Sequence, residues 1–161
     1  MAKRSDDIAI SQVLRPEFIF FLNGKLTKED SLRFLSGKIH ELVKEIIDYK
    51  TLYERLVEVD KLNNVLESGF YIPHAKFKEI SRFFAALALL PGGFYDEKSG
   101  KTVKSMFLLL SPNKPHFFQK HLNLLARLSG IFQTSFIEKL FSFKTPQEVM
   151  ETIRNLESPA I

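Results

Sequence analysis

Cysteine is absent from this 161-residue sequence, so four histidines carry most of the chemistry it could perform. Without thiols there is no disulfide, no thiolate nucleophile and no Cys-ligated zinc. The sequence also has no P-loop, no dinucleotide-binding glycine pattern, no Gly-x-Ser-x-Gly elbow and no His-Glu-x-x-His. His40 lies among Lys38, Glu41 and Lys44 and reads as a solvated residue on the polar face of a helix. His116 and His121 are off the four-residue spacing that puts two ligands on one helix face, and no Asp or Glu is close to either in sequence. The expectation is therefore a protein with no metal and no cofactor. His74 differs from the other three. It follows Pro73 at the exit of a short apolar stretch, and a charged segment comes after it. Proline fixes its own φ and drives Ile72 toward an extended conformation, so the chain reaching His74 is stiff. Orientation set in advance lowers the barrier of a group transfer, which suits a nucleophile. Read locally, Pro73-His74 serves a structural role equally well.

The elements that must position these residues follow from periodicity. Residues 8–22 mix β-branched and aromatic positions around Pro16 and read as a short extended segment, closed by the Asn23-Gly24 turn. Thr27 reads as an N-cap with Asp30 three residues on. Behind it Leu32, Leu35, Ile39, Leu42, Val43, Ile46 and Ile47 recur at helical spacing, predicting one long amphipathic helix. A second helix is predicted from Leu52 to Leu66, ended by Ser68-Gly69. The period then changes. Phe70–Ile72 reads as extended, and the apolar runs Phe83–Leu90 and Val103–Leu110, bounded by turn residues, fit strands buried on both faces; periodicity leaves a buried helix open for them. After Pro115 the pattern is helical again, with Phe118, Leu122, Leu125 and Leu128 on one face. A short helix around Phe136–Phe141 follows. Thr145-Pro146-Gln147-Glu148 then opens a last helix. Helices at both ends with strands between predict an α/β fold: a single layered domain over 1–161, core about 8–157, with a mixed central β-sheet flanked by helices on both faces.

Composition narrows the class. Hydrophobic residues make up 45% and charged residues 26%, with 16 Phe, a balance that fits a packed core rather than a disordered chain. No apolar run reaches the roughly 18 residues of a bilayer span, so no membrane insertion is expected. The start, Met1 to Asp7, has two positive charges with no apolar stretch behind them and does not read as a signal peptide; the expected compartment is cytoplasmic. Net charge is +4, from 23 basic and 19 acidic residues, and the basic ones are dispersed and followed closely by acidic ones. That pattern argues against nucleic acid as a partner, while a modest positive field would help recruit an anionic, phosphorylated one.

Several segments, taken in order, carry a resemblance. Gly69-Phe-Tyr-Ile-Pro-His-Ala75 is followed by Phe94–Pro112, by His121-Leu-Asn-Leu-Leu-Ala-Arg-Leu-Ser129 and by Leu140-Phe-Ser-Phe-Lys-Thr-Pro-Gln-Glu-Val149. Ile10–Leu14 and Leu26–Leu32 precede them. Nearly the whole chain thus resembles the enzyme IIA domains of the bacterial phosphotransferase system, of the fructose/mannitol and nitrogen-regulatory type. The resemblance implies a phosphohistidine carrier: His74 accepts a phosphoryl group from an HPr-type protein, and His121, opening a helix, donates a hydrogen bond to the phosphoryl oxygens. It also implies regulatory target proteins as partners, such as transporters or sensor kinases. With no IIB or IIC segment attached, a stand-alone regulator of nitrogen-regulatory type is expected. A regulatory binding module of the same fold with weak or lost transfer is the alternative. Three departures favour that alternative. The arginine expected shortly before the acceptor is missing, with Arg55 a few residues early and Lys61 a few late, and the Thr-Gly-rich loop is largely replaced. Phe70-Tyr71 is also bulkier than the usual pair.

Overall fold

The computed structural model describes residues 6–157; most of the start segment read above as unlike a signal peptide lies outside the described residues. A five-stranded mixed sheet forms the centre. β1 (Ile19–Phe21) runs parallel to β4 (Phe84–Asp96), which pairs antiparallel with β5 (Lys101–Pro112). On the other edge of β5 lie β2 (Phe70–Tyr71) and β3 (His74–Phe77), both parallel to it. Side chains alternate across β4, so its apolar run feeds two cores. Ala86, Ala88 and Leu90 pack with α2 (Lys28–His40) and α3 (Tyr49–Asp60). Ala85, Leu87 and Leu89 pack with α1 (Ile10–Val13), α4 (Pro115–Ile131), α5 (Thr134–Leu140) and α6 (Pro146–Glu157). The layered α/β architecture with helices on both faces is the one the sequence predicts.

Capping chemistry is where the local sequence places it. The Asp30 amide donates to Thr27 Oγ1 at 3.0 Å, and the Thr145 amide donates to Glu148 Oε1 at 3.1 Å. Several boundaries differ. Residues 8–22 are not one extended segment: α1 and a 3-10 turn at Pro16–Phe18 precede β1. The Ser11 amide at the start of α1 donates to Glu157 Oε1 at 3.1 Å, a partner 146 residues away that no local pattern could announce. α2 stops at His40, and the chain continues to Ile47 as successive turns because Asp48 caps α3 through the Thr51 amide. His40 is accordingly half-buried rather than solvated, its Nε2 2.7 Å from the Ile47 carbonyl oxygen, and it closes the connection between the two helices. α3 ends at Asp60, not Leu66. Asn63 takes a positive φ of 64°, and Val65 bridges back to Tyr71. Gly69 therefore serves a tight turn rather than a helix end. Its φ is +82°, and a Cβ there would collide with the Thr102 carbonyl oxygen. β4 also runs on past Pro91, because a bulge between Leu89 and Phe94 leaves the proline with no ladder bond to make.

Candidate functional site

β2 and β3 follow one line along β5, interrupted at Ile72-Pro73, where the Pro73 carbonyl accepts from the Leu109 amide at 3.0 Å. Because Pro73 has no N–H, the ladder costs nothing at that residue, and His74 starts β3 opposite Leu109. Alternation buries Ala75 and Phe77 in the core beneath α2 and α3 and leaves His74 and Lys76 half-buried on the other side. α4 contributes His121. It does not open that helix but lies in its second turn, and it is 4% exposed rather than solvent-facing. The helix buries His121, Leu124 and Leu128, leaving Phe118 38% and Leu122 57% exposed, so the apolar stripe is rotated from the one the sequence suggests. The reason is polar. Ser111, on the strand next to β3, lies 2.7 Å from His121 Nδ1, so an imidazole rather than an aliphatic side chain takes the inward position.

The two imidazole centroids are 5.5 Å apart, with the rings inclined at 52°. They share a pocket of about 350 Å³ with Ala75, Lys76, Arg55 and Val59. Arg55 and Val59 come from one face of α3, four residues apart. Arg55, which falls outside the position the family pattern leads one to expect, thus reaches the pocket wall, donating to the Lys76 carbonyl at 3.3 Å with its guanidinium 4.5 Å from the Phe77 ring centroid. The Lys76 ammonium lies 4.6 Å from the Phe118 ring. Behind this wall Lys28 bridges Asp60, at the end of α3, and Asp96, each at 3.0 Å, and so ties α3 to α2 and β4.

Hydrogen bonding selects the tautomer of His74. Its Nδ1 is 2.7 Å from the Ile72 carbonyl oxygen, and a carbonyl only accepts, so Nδ1 carries the proton and Nε2 keeps the lone pair. Burial lowers the His74 pKa below its ordinary value and Lys76 lowers it further; the bond to Ile72 opposes them in part. Burial, then the neighbouring His74 and Lys76, lower His121 to about 4. Both rings are neutral at pH 7. His116 packs against Phe117, with ring centroids 4.4 Å apart and the rings tilted by 44°, and His40 sits in the α2–α3 connection, so neither joins the pair. Among the described residues no group of three or more His, Asp or Glu side chains could hold a metal ion. Lys76 and Ser111 are residues that reading the sequence for site chemistry passed over, and Arg55 was weighed there only as lying off the expected position. Lys76 carried a signal, since two residues beyond His74 in a strand means the same face. Arg55 carried a weaker one, its helical spacing to Val59. Ser111 carried none, because only the β3–β5 register brings it near.

The cavity thus holds an edge-strand histidine with a free Nε2, a second neutral histidine beside it and two cations. The chain belongs to the family described as phosphoenolpyruvate-dependent sugar phosphotransferase system, EIIA 2, whose model matches residues 12–156. Among solved structures it is similar to the nitrogen regulatory protein IIA-Ntr of Neisseria meningitidis, at TM-score 0.77 and 24% identity over 89% of this chain and 98% of that one. It is also similar to IIA mannitol of Escherichia coli, at TM-score 0.67 and 20% identity over 87% and 98%. A third similar structure, at TM-score 0.68 and 19% identity over 88% and 97%, is E. coli enzyme IIA of the mannitol system in complex with its phosphorylated enzyme IIB. No curated protein matches the chain. No helix among the described residues is long and apolar enough to cross a membrane.

Proposed function

We propose that this protein is a phosphohistidine carrier that takes a phosphoryl group from an HPr-type protein onto His74 Nε2 and passes it to a further protein. The observation that carries this reading is the bond from His74 Nδ1 to the Ile72 carbonyl, which leaves Nε2 as the nucleophilic atom beside the pocket's cations. In the transfer, the Nε2 lone pair forms the new N–P bond while the donor's bond to phosphorus breaks and its electrons stay on the donor. Such a transition state needs alignment and positive charge more than covalent help. Pro73 and the β3–β5 ladder supply alignment, and Arg55 and Lys76 supply charge. His121 donates from Nε2–H while its Nδ1 accepts from the Ser111 hydroxyl, an assignment that suits its neutral form. The pKa shifts support the same roles, since a nucleophile must be unprotonated and a buried donor gains from staying neutral.

The nitrogen-regulatory kind is the finer reading, supported by the fold match to IIA-Ntr. Its mechanism is a change of about two negative charges at the His74 surface between free and loaded forms, which alters the set of proteins that bind there. The setting is the cytoplasm, where such carriers would meet their donors. Arg55 in the pocket wall supports the carrier reading over the binding-module alternative. Incubation with enzyme I, HPr and phosphoenolpyruvate followed by intact mass measurement tests the reading. One acid-labile phosphate should appear on the wild type and none on His74→Ala; an unchanged wild-type mass would overturn it.

A further inference from the structure

A second cleft, of about 220 Å³, lies on the far flank of α4 from the His74 pocket. The helical period puts Phe117 and Lys120 on one side of the His121 stripe and Phe118 and Leu122 on the other. The contacts agree. Phe118 meets Lys76 of β3, whereas Phe117 meets Phe83, just before β4, edge to face with centroids 5.7 Å apart. Val13, Phe83 and Phe117 give this cleft its apolar lining. The polar groups around it are donors. The Lys120 ammonium lies 5.4 Å from the centroid of the Phe117 ring, and the Arg82 guanidinium lies 4.1 Å from that of Phe84. Aromatic faces thus hold both cations in place without neutralising them. Gln12 turns its Oε1 to the Ala9 amide at 2.7 Å, which leaves its Nε2 donors without a partner among the described residues. Arg15, in the narrow space that adjoins Val13, Arg82 and Phe83, adds a third cation. Asp6 and Asp7 precede Ile8 at the rim and offset part of this charge. Among the described residues, however, no carboxylate forms an ion pair with Arg82 or Lys120.

We propose that this cleft binds a small organic carboxylate with an aromatic or branched apolar body. Nothing in this depends on His74 accepting a phosphoryl group. The cleft is smaller than the roughly 300–1,000 Å³ of drug-sized ligand sites, so it takes a small molecule rather than a partner's helix or strand. A cationic ligand would meet like charge, and a neutral apolar one would cover donors and offer them no acceptor. Three cations set against Asp6 and Asp7 suit one negative charge better than two, which favours a carboxylate over a phosphate. The place is that of an effector rather than a substrate. Phe84 pairs with Leu110 on β5 and Ser111 comes next, so the Phe83–Phe117 contact stands beside the contact between Ser111 and His121. An occupant of the cleft packs against the far side of the element that carries His121.

The test is an NMR titration of the full chain with three probes: 3-phenylpropanoate, its neutral amide and inorganic phosphate. The acid should bind with a dissociation constant of about 1 mM or below and shift resonances of Val13, Phe83, Phe117 and Lys120 most. The amide and phosphate should each bind roughly tenfold more weakly, the first for want of charge and the second for want of an apolar body. The double variant Arg82→Gln, Lys120→Gln changes only side chains at the surface and should keep the spectrum of the folded protein while losing roughly tenfold in affinity for the acid. His74→Ala should bind the acid as the wild type does. Equal affinity for acid and amide, or for acid and phosphate, would overturn the proposal. So would shifts centred on Ala75 and Lys76, which would put the acid in the His74 pocket, or no shift at about 10 mM acid.

Discussion

Protonation of His121 should destabilise the folded protein, and the effect is large enough to isolate. The folded protein holds this imidazole at a pKa of about 4, below its unfolded value of 6.5, because burial penalises the charged ring and His74 and Lys76 add to the penalty. The unfolded chain therefore binds the proton more tightly. The stability contributed by neutral His121 is complete above pH 6.5 and is lost as pH falls toward 4. Across that interval the loss approaches about 3 kcal/mol, and between pH 7 and pH 5 it is about 2 kcal/mol. Urea unfolding at the two pH values, for wild type and for His121→Gln, reads it out. Glutamine keeps a polar group near Ser111 but cannot titrate, so the variant should lose about 2 kcal/mol less than the wild type on going to pH 5. Equal losses in the two proteins would show that His121 is not a buried neutral base and would remove its assignment as an uncharged donor.

Three further outcomes follow from the same geometry. Arg55→Ala should slow phosphoryl uptake by roughly ten- to a hundredfold with little change in fold, and Arg55→Lys should recover only part, since lysine lacks the planar fork; stopped transfer with the donor carrier measures both. Ser111→Ala removes the hydroxyl facing His121 Nδ1 and should lower the uptake rate about tenfold while leaving the His74 ring resonances in place, as imidazole NMR can check. Lys28→Met leaves Asp60 and Asp96 without their shared cation and should cost roughly 3 kcal/mol in chemical denaturation.

The parts of this protein that read out of its sequence are those decided within a few residues. The capping residues Thr27 and Thr145, the doubly buried runs in β4 and β5 and the stiff approach to His74 all depend on near neighbours, and the structure has them where local rules put them. The misplaced features depend on partners far along the chain. α1 forms against Glu157, and α4 is rotated by Ser111, which is ten residues away and on another element. His40 reads as a surface residue among charged neighbours, but the Ile47 carbonyl pulls it inward. The site divides in the same way. Pro73 marked His74 as stiffly mounted, and the resemblance supplied the roles expected of His74 and His121. Arg55 was noted but set aside because the family pattern directs attention to a fixed offset, while a helix wall can offer a cation from the preceding turn.

The account stands on one atom, His74 Nε2. Long-range ¹H–¹⁵N correlation on the protein phosphorylated through enzyme I and HPr identifies which imidazole nitrogen carries phosphorus. The structure predicts a single phosphate on Nε2 of His74, with Nδ1 still protonated and bonded to the Ile72 carbonyl. Phosphorus on Nδ1, on another residue, or on no residue at all would contradict it.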